Sequence, residues 1–194
     1  DYIPIGAEAK NISTNDGDSV ELKLSKKPYY YNNVADMKAD TKLKAGDMAV
    51  TLGYYSVNDG GGSTYKISNS TSNLYHQEIL GENLYANLIV ENNTINFKQL
   101  GAKSDDETFD CKNYMDEYIS LCANNNITYK LYIPVGIWYF SPTLIKRYNG
   151  VNIVGEPIFP RENFSGTVIA PISNTTQNYI WKLGGKEDIT DLTT

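Results

Sequence analysis

The acidic residues are the most numerous side chains in this sequence that could do acid–base chemistry. A glycosidase needs two carboxylates that flank the scissile bond, and a lyase needs a base together with basic groups or calcium that neutralise charge. The acidic residues here cluster at expected helix ends (105–107 and 116–117) or in turns (Asp47 and Asp59), where capping or solvation explains them. We therefore predict no catalytic constellation within residues 1–194.

Titratable side chains also occur at two other places in the sequence. Glu156, Arg161 and Glu162 form a compact charged group near a predicted strand, which we interpret as an ordinary loop. His76 lies in the segment 68–81, which is typical of a loop or an irregular sheet edge. Catalysis by this histidine would need a partner base or nucleophile, and no spacing in the sequence identifies one. We interpret it as a surface histidine or a satisfied structural one.

Metal and cofactor sites are not predicted. Two cysteines and one histidine leave too few soft ligands for a structural zinc ion. On one helix, Cys111 and Cys122 would lie about 16 Å apart, beyond the roughly 7 Å that a disulfide spans. The glycine-rich segment 58–62 is followed by neither a Lys-Ser/Thr pair nor a helix, so it predicts a turn rather than a nucleotide site.

Composition and charge exclude several classes of partner. Of the 194 residues, 41% are hydrophobic and 21% are charged, which is typical of a globular chain rather than a disordered one. The net charge of −6 argues against nucleic-acid binding, because a phosphate backbone would not be attracted. No run approaches about 18 apolar residues, so no membrane span is expected.

A helix is predicted in the middle of the chain. Its apolar positions recur at spacings of four, three and four residues, as on one face of an amphipathic helix: Cys111, Met115, Tyr118 and Cys122. Asp105 and Asp106 are placed at its N-cap and first turn, and the asparagines at 124–126 end it.

Short strands separated by turns occupy most of the remaining chain. A short helix is predicted from Val34, Met37 and Leu43, and the segments 92–93 and 58–62 are predicted turns. Strands are predicted at 19–25, 48–54, 65–67, 84–91, 94–97, 132–140, 151–155, 167–170 and 179–183. The later strands start about twelve to twenty residues apart, a spacing that suits successive turns of a coil in which each turn must stack on another.

Residues 97–156 resemble the opening of the pectate-lyase-like right-handed parallel β-helices. The motifs that carry the resemblance are Gly101, Ala102, Lys103 with Asp105; Ile133, Pro134, Gly136 with Tyr139; and Val154, Gly155, Glu156. The resemblance implies a capping helix followed by the first rungs of a β-helix.

A second resemblance covers about 35 residues before that region. They are similar to a small module at the front of tail-spike, tail-fibre and preneck-appendage proteins of tailed phages. The matching residues are Leu43, Gly46, Asp47, Val50, Leu52, Gly53, Tyr54, Asp59, Gly60, Gly61 and Tyr65. In such proteins the module lies near the virion and precedes a β-helix.

The predicted fold is mainly β: a small β-rich N-terminal module, then a capping helix and the first rungs of a right-handed parallel β-helix. Residues 1–33 are predicted to be a virion-proximal arm, 34–96 the attachment module, and 97–194 the capping helix and the start of the β-helix. The candidate virion or partner contact is Tyr29, Tyr30 and Tyr31, because tyrosine offers a large amphipathic surface at low entropic cost. The alternative is that these tyrosines pack under the next domain.

Three hypotheses for function follow. The first is a phage virion protein, the attachment end of a tail spike, fibre or appendage whose distal part binds or degrades host cell-surface polysaccharide. The second is a secreted polysaccharide lyase or glycoside hydrolase of the β-helix class, and the third is a bacterial surface adhesin with a β-helical stalk. Residues 1–194 leave open whether the full-length protein is a depolymerase.

The first hypothesis also implies particular partners and a particular location for the protein. The resemblance implies a homotrimer, contacts with other virion tail proteins, and a host glycan bound through parts outside this chain. It also implies a virion location, exposed to the extracellular environment. Because Asp1 is not a methionine, we expect a start that lies upstream, and beyond Thr194 we expect either a longer protein or partner chains that complete the core.

Overall fold

The computed structural model describes residues 27–146, 151–157, 166–172 and 181–184, with the backbone alone in 143–146 and 181–184. These residues are mainly β-structure with few helices, as the sequence predicts. The predicted strand at 19–25 lies outside them.

A five-stranded sheet, the N-terminal sheet, forms the first part of the described chain. Its strands in chain order are β1 (Tyr29–Tyr31), β2 (Met48–Thr51), β3 (Ser63–Ser68), β4 (Gln77–Gly81) and β5 (Leu84–Leu88). In space the order is β1-β2-β3-β5-β4. The β1–β2 pair is parallel and the other pairs are antiparallel. The sheet therefore has two edges, β1 and β4.

Helix α1 (Val34–Ala39) connects the parallel strands β1 and β2. The side chain of Asn33 caps it by accepting a hydrogen bond from the Asp36 N–H at 2.8 Å. Val34 and Met37 lie on its buried face. The predicted short helix is confirmed for Val34 and Met37, but it ends at Ala39 and does not include Leu43.

The turn predicted between β2 and β3 is confirmed, and Asp59 organises it. Asn58 and Gly60 adopt positive φ angles of 64° and 88°, which reverse the chain. The Asp59 carboxylate accepts hydrogen bonds from the backbone N–H groups of Tyr54, Tyr55, Ser56 and Gly61 at 2.7 to 3.1 Å. This carboxylate therefore has a structural role.

Parallel strand pairs form the second part of the described chain. The first group is β6 (Thr94–Asn96), β7 (Lys130–Ile133) and β10 (Asn152–Gly155), in the order β10-β7-β6. The other pairs are β8 (Gly136–Phe140) with β11 (Thr167–Pro171), and β9 (Thr143–Lys146) with β12 (Trp181–Gly184). The register stacks Ile95 on Leu131 and Leu131 on Ile153, so like side chains lie above one another along the ladder.

Helix α2 (Lys112–Asn125) buries the predicted stripe. Cys111, Met115, Tyr118 and Cys122 are each at most 1% exposed, and Asn126 ends the helix in the left-handed conformation. Both cysteines are free, as predicted.

The prediction for the start of α2 is wrong. The helix begins six residues beyond Asp106, and the carboxylate next to it belongs to Asp110, which accepts from the Lys112 N–H at 2.9 Å. Asp105 instead adopts a φ of 62° and accepts from the Ile137 N–H at 2.9 Å. Asp106 accepts from the Thr108 N–H at 3.0 Å. The acidic cluster thus orders the loop before the helix.

The segment 68–81 contains the edge strand β4, whose register shifts between Ile79 and Gly81, so the irregular sheet edge is the correct one of the two predicted alternatives. The two predicted strands that follow belong to different sheets. The strands predicted at 84–91 and 94–97 do not form a ladder with each other, because β5 pairs within the N-terminal sheet and β6 pairs with β7. Only the isolated bridge Glu91–Thr94 joins them, across a tight turn in which Asn92 and Asn93 have φ angles of 50° and 55°.

The core is continuous between the two parts. One cluster of buried apolar side chains includes Met37 and Tyr65 of the first part and Leu131, Trp138 and Phe140 of the second. None of the helices in the described ranges has the length and apolarity that crossing a membrane requires.

Candidate functional site: an exposed tyrosine edge and a buried charge network

The three candidate contact tyrosines form the edge strand β1. Within the described residues β1 pairs only with β2, so its other edge has no strand partner. Tyr30 is 68% exposed and Tyr29 is 38% exposed. Tyr31 is partly buried, and its hydroxyl donates to the Asp40 carboxylate at 2.8 Å. The structure thus leaves Tyr29 and Tyr30 available at the sheet edge and packs Tyr31 against the core.

His76 is buried, so of the two interpretations the surface histidine is wrong and the structural histidine is correct. The side chain is 6% exposed and lies between Glu78 on β4 and Glu117 on α2. The Nδ1 atom is 2.6 Å from Glu117 Oε1, which is a hydrogen bond. The Nε2 atom is 3.3 Å from Glu78 Oε1, an ion-pair distance without hydrogen-bond alignment.

Two further side chains complete what we call the junction network, which comprises Lys38, Tyr54, His76, Glu78 and Glu117. The Tyr54 hydroxyl donates to Glu78 Oε1 at 2.6 Å, and Lys38 Nζ donates to Glu78 Oε2 at 2.9 Å. The network thereby links α1, the β2–β3 turn, β4 and α2. It lies where the N-terminal sheet meets the helix that precedes the parallel strands.

The network holds His76 as a cation. Burial alone would lower the pKa of the imidazole, but the hydrogen bond with Glu117 and the close carboxylates of Glu117 and Glu78 outweigh burial and raise the pKa from 6.5 to about 9. Burial likewise opposes ionisation of Glu78, and the nearby His76 cation together with the hydrogen bonds from Tyr54 and Lys38 lowers its pKa to about 2. Burial, followed by the bond to Glu78, raises the pKa of Tyr54 far above its usual range.

This geometry suits attachment of one element to another better than catalysis. A general acid or base must reach a substrate proton, and here both His76 and Glu78 are almost enclosed. Both imidazole nitrogens already face carboxylates. The network therefore fixes the position of α2 against the N-terminal sheet.

The charged group of Glu156, Arg161 and Glu162 lies only partly within the described residues. Glu156 accepts a hydrogen bond from the Tyr132 hydroxyl, and its backbone N–H donates to Thr167 Oγ1 at 2.7 Å. Arg161 and Glu162 lie outside the described residues. In the described part of the chain, no group of three or more His, Cys, Asp or Glu side chains is placed to hold a metal ion.

The fold was compared with solved structures. A tailspike protein from Acinetobacter baumannii bacteriophage Fri1, a capsular polysaccharide depolymerase, matches 81% of this chain with a TM-score of 0.56 and 15% identity. The tailspike protein of Acinetobacter phage vB_ApiP_P1 matches 81% of it with a TM-score of 0.55 and 16% identity. The described part of the chain has a tailspike-like fold.

This tailspike-like fold confirms the resemblance drawn from the sequence. The chain spans 32% of the length of the first tailspike and 26% of the second. No family model and no curated protein matches the sequence. At these identities the likeness shows the fold alone.

Proposed function

We propose that this chain is the virion-attachment end of a phage tail spike, fibre or appendage whose distal part binds or degrades host cell-surface polysaccharide. The observation that carries the proposal is the tailspike-like fold over 81% of the chain. The Fri1 tailspike is a capsular polysaccharide depolymerase, and this chain spans only about a third of it. The distal activity would belong to residues that follow those described here.

The arrangement of the second part supports the same proposal. Helix α2 acts as the cap of a right-handed parallel β-helix, and the three groups of parallel strands form its first rungs. The Tyr118 hydroxyl supports this role, because it lies 2.7 Å from the Tyr129 carbonyl and 3.2 Å from the Asn152 carbonyl and so joins α2 to two stacked strand segments. A cap of this kind shields the end of the apolar ladder from water.

The first part provides the attachment surface. In this proposal residues 1–33 form the virion-proximal arm, 34–96 the attachment module, and 97–194 the cap and first rungs. The exposed face of Tyr30 and the edge of β1, which has no strand partner in the part of the chain that the structure describes, are suited to contact another tail protein. A strand edge of this kind offers backbone hydrogen bonds, and tyrosine offers contact area. The assembly would be a homotrimer on the virion, exposed to the extracellular environment.

The proposal is tested by producing phage particles with the variant Tyr30→Ser in the full-length protein. The matched control is Ile79→Ser, because Ile79 is also a large exposed side chain, 63% exposed, on the opposite edge of the same sheet. Loss of a central tyrosine should weaken docking by roughly tenfold or more. Immunoblotting of purified particles should therefore show depleted Tyr30→Ser protein and normal Ile79→Ser protein.

A deletion of residues 1–33 should abolish incorporation altogether. Particles that carry the deleted protein at normal copy number would overturn the attachment assignment. If the full-length protein degrades host glycans but is absent from particles, the alternative of a secreted polysaccharide lyase or glycoside hydrolase takes its place.

A further inference from the structure

A pocket with no assigned role lies between the N-terminal sheet and the segment after α2. Its volume is about 420 Å³, within the range of roughly 300 to 1,000 Å³ that small-ligand sites occupy. We call it the tyrosine pocket. The residues that line it include Lys66, Tyr75, Asn87, Ile89, Asn93 and Tyr129.

The walls of the tyrosine pocket are held in place by hydrogen bonds to α2 and β7. The side-chain amides of Asn124 and Asn125 each donate at 2.9 Å to backbone carbonyls of the loop that carries Tyr75. The Lys130 N–H donates to the Asn93 carbonyl at 2.8 Å. The pocket is therefore preformed, which lowers the entropic cost of binding a ligand there.

Two polar side chains of the pocket, Asn87 and Lys66, have N–H groups that could donate hydrogen bonds to a ligand. Asn87 Oδ1 accepts from Gln77 Nε2 at 2.5 Å, so the Asn87 amide N–H groups remain for a ligand. Lys66 Nζ donates to the Gly46 carbonyl and, as an ammonium with three N–H groups, keeps two more. None of the described side chains that line the pocket is acidic, although the chain as a whole carries a net charge of −6.

These groups match the chemistry of an acidic sugar. The rings of Tyr75 and Tyr129 offer apolar faces against which the C–H face of a pyranose can pack. The amides of Asn87 and Asn93 suit sugar hydroxyls, which both donate and accept hydrogen bonds. Lys66 supplies a positive charge for a carboxylate.

We propose that the tyrosine pocket binds a short acidic oligosaccharide, of the size of a disaccharide that contains a uronic acid. This gives the chain a glycan contact in its own residues, apart from any distal site of the full-length protein. The inference rests on the pocket alone and does not depend on the proposed attachment function.

The test localises binding to the pocket in the full-length protein. The probes are cellobiouronic acid and its neutral counterpart cellobiose, and the readout is the acetylation rate of individual lysines by mass spectrometry. Lys66 should be protected by cellobiouronic acid, while Lys42, which is exposed and does not line the pocket, should react unchanged. Cellobiose should protect Lys66 about tenfold more weakly, because it lacks the carboxylate.

Variants complete the test. Tyr75→Ala should weaken protection of Lys66 about tenfold without unfolding the protein, because Tyr75 is 49% exposed. Ile79→Ala, which removes another large exposed side chain that does not line the pocket, should leave protection unchanged. In calorimetry, Lys66→Gln should bind cellobiouronic acid no more tightly than cellobiose.

Several outcomes would overturn the inference. They are an unprotected Lys66 with both sugars, equal protection by the neutral sugar, and protection that Tyr75→Ala does not alter. Lys66 that reacts only after removal of residues 1–26 would mean that the chain itself fills the pocket, which also refutes sugar binding.

Discussion

At the scale of single residues, the junction network makes stability depend on pH in two windows. The pKa of His76 is raised from 6.5 to about 9 in the folded chain, so its contribution is fully present below pH 6.5 and is lost as the pH rises through about 9. The pKa of Glu78 is lowered from 4.5 to about 2, so its contribution is present above pH 4.5 and is lost as the pH falls through about 2.

Replacing His76 by glutamine removes the cation between two carboxylates. We expect His76→Gln to lower the free energy of unfolding by about 2 kcal/mol at pH 6, because Glu78 and Glu117 lose the cation between them while Lys38 still pairs with Glu78. Urea denaturation measures the change. Lys42→Gln, which removes a charge from an exposed side chain, should change stability by no more than about 0.5 kcal/mol.

The pH profile separates the charge of His76 from its packing. The free energy of unfolding of the wild-type protein should fall between pH 6.5 and about 9, and that of His76→Gln should be flat over this interval. A variant that retains the wild-type slope would show that another group titrates there.

The sequence could not identify this network. Glu78 is two residues from His76, but Glu117 is 41 residues away on a different element, and only the folded chain brings them together. The sequence also left open whether Tyr29, Tyr30 and Tyr31 are exposed or packed, because β1 is defined by its pairing with β2 about twenty residues further along the chain.

At the scale of elements, the sequence predicts a feature correctly when that feature depends on interactions between residues that are close in the chain. The stripe from Cys111 to Cys122 and the turn at Asn92 depend on nearby residues, and both are found where the sequence places them. The start of α2 does not, because Asp105 is drawn away by hydrogen bonds with Ile137 on β8. For the segment 68–81 the sequence could not decide between a loop and an irregular sheet edge, because strand β4 is defined by its pairing with β5.

The 3₁₀ helix Phe97–Leu100 gives an element-scale prediction through the residue that ends it. Gly101 has a φ of 95°, and a Cβ there would lie 2.6 Å from the Tyr54 ring. Gly101→Ala should therefore lower the free energy of unfolding by about 2 kcal/mol or more, through backbone strain and displacement of that ring. Thermal denaturation measures the loss.

Gly81→Ala is the matched control. Nothing lies within 4 Å of a Cβ added at Gly81, so this variant should stay within about 0.5 kcal/mol of the wild type. Equal stability of the two variants would mean that the Tyr54 ring yields freely and does not fix the chain at Gly101.

At the scale of the whole molecule, the sequence predicts the class and the order of the parts, and leaves their attachment unspecified. A mainly β chain and its tailspike-like fold were both anticipated from motifs spread along it. The continuity of the core was not, because apolar residues such as Tyr65 and Trp138 meet through folding rather than through sequence proximity.

That continuity predicts cooperative unfolding of the two parts. Hydrogen exchange of the full-length protein, measured by mass spectrometry across a urea series, should show β3 and β7 losing protection at the same urea concentration. In His76→Gln the two midpoints should move apart, because the network that joins the sheet to α2 is weakened. Separate midpoints in the wild-type protein would show that the shared core does not couple the parts.

The charges of the junction network alternate: Lys38 is positive, Glu78 negative, His76 positive and Glu117 negative, so together they cancel. Exchange of His76 or Glu78, the two buried members, to a neutral residue breaks that balance away from solvent, whereas a paired exchange of a base and an acid restores it. Related proteins whose sequences differ in the junction network should therefore replace a basic and an acidic residue of it together. A chimera that joins the N-terminal sheet of such a protein to a different distal part would then succeed only if helix α2, which carries Glu117, is transferred together with the sheet.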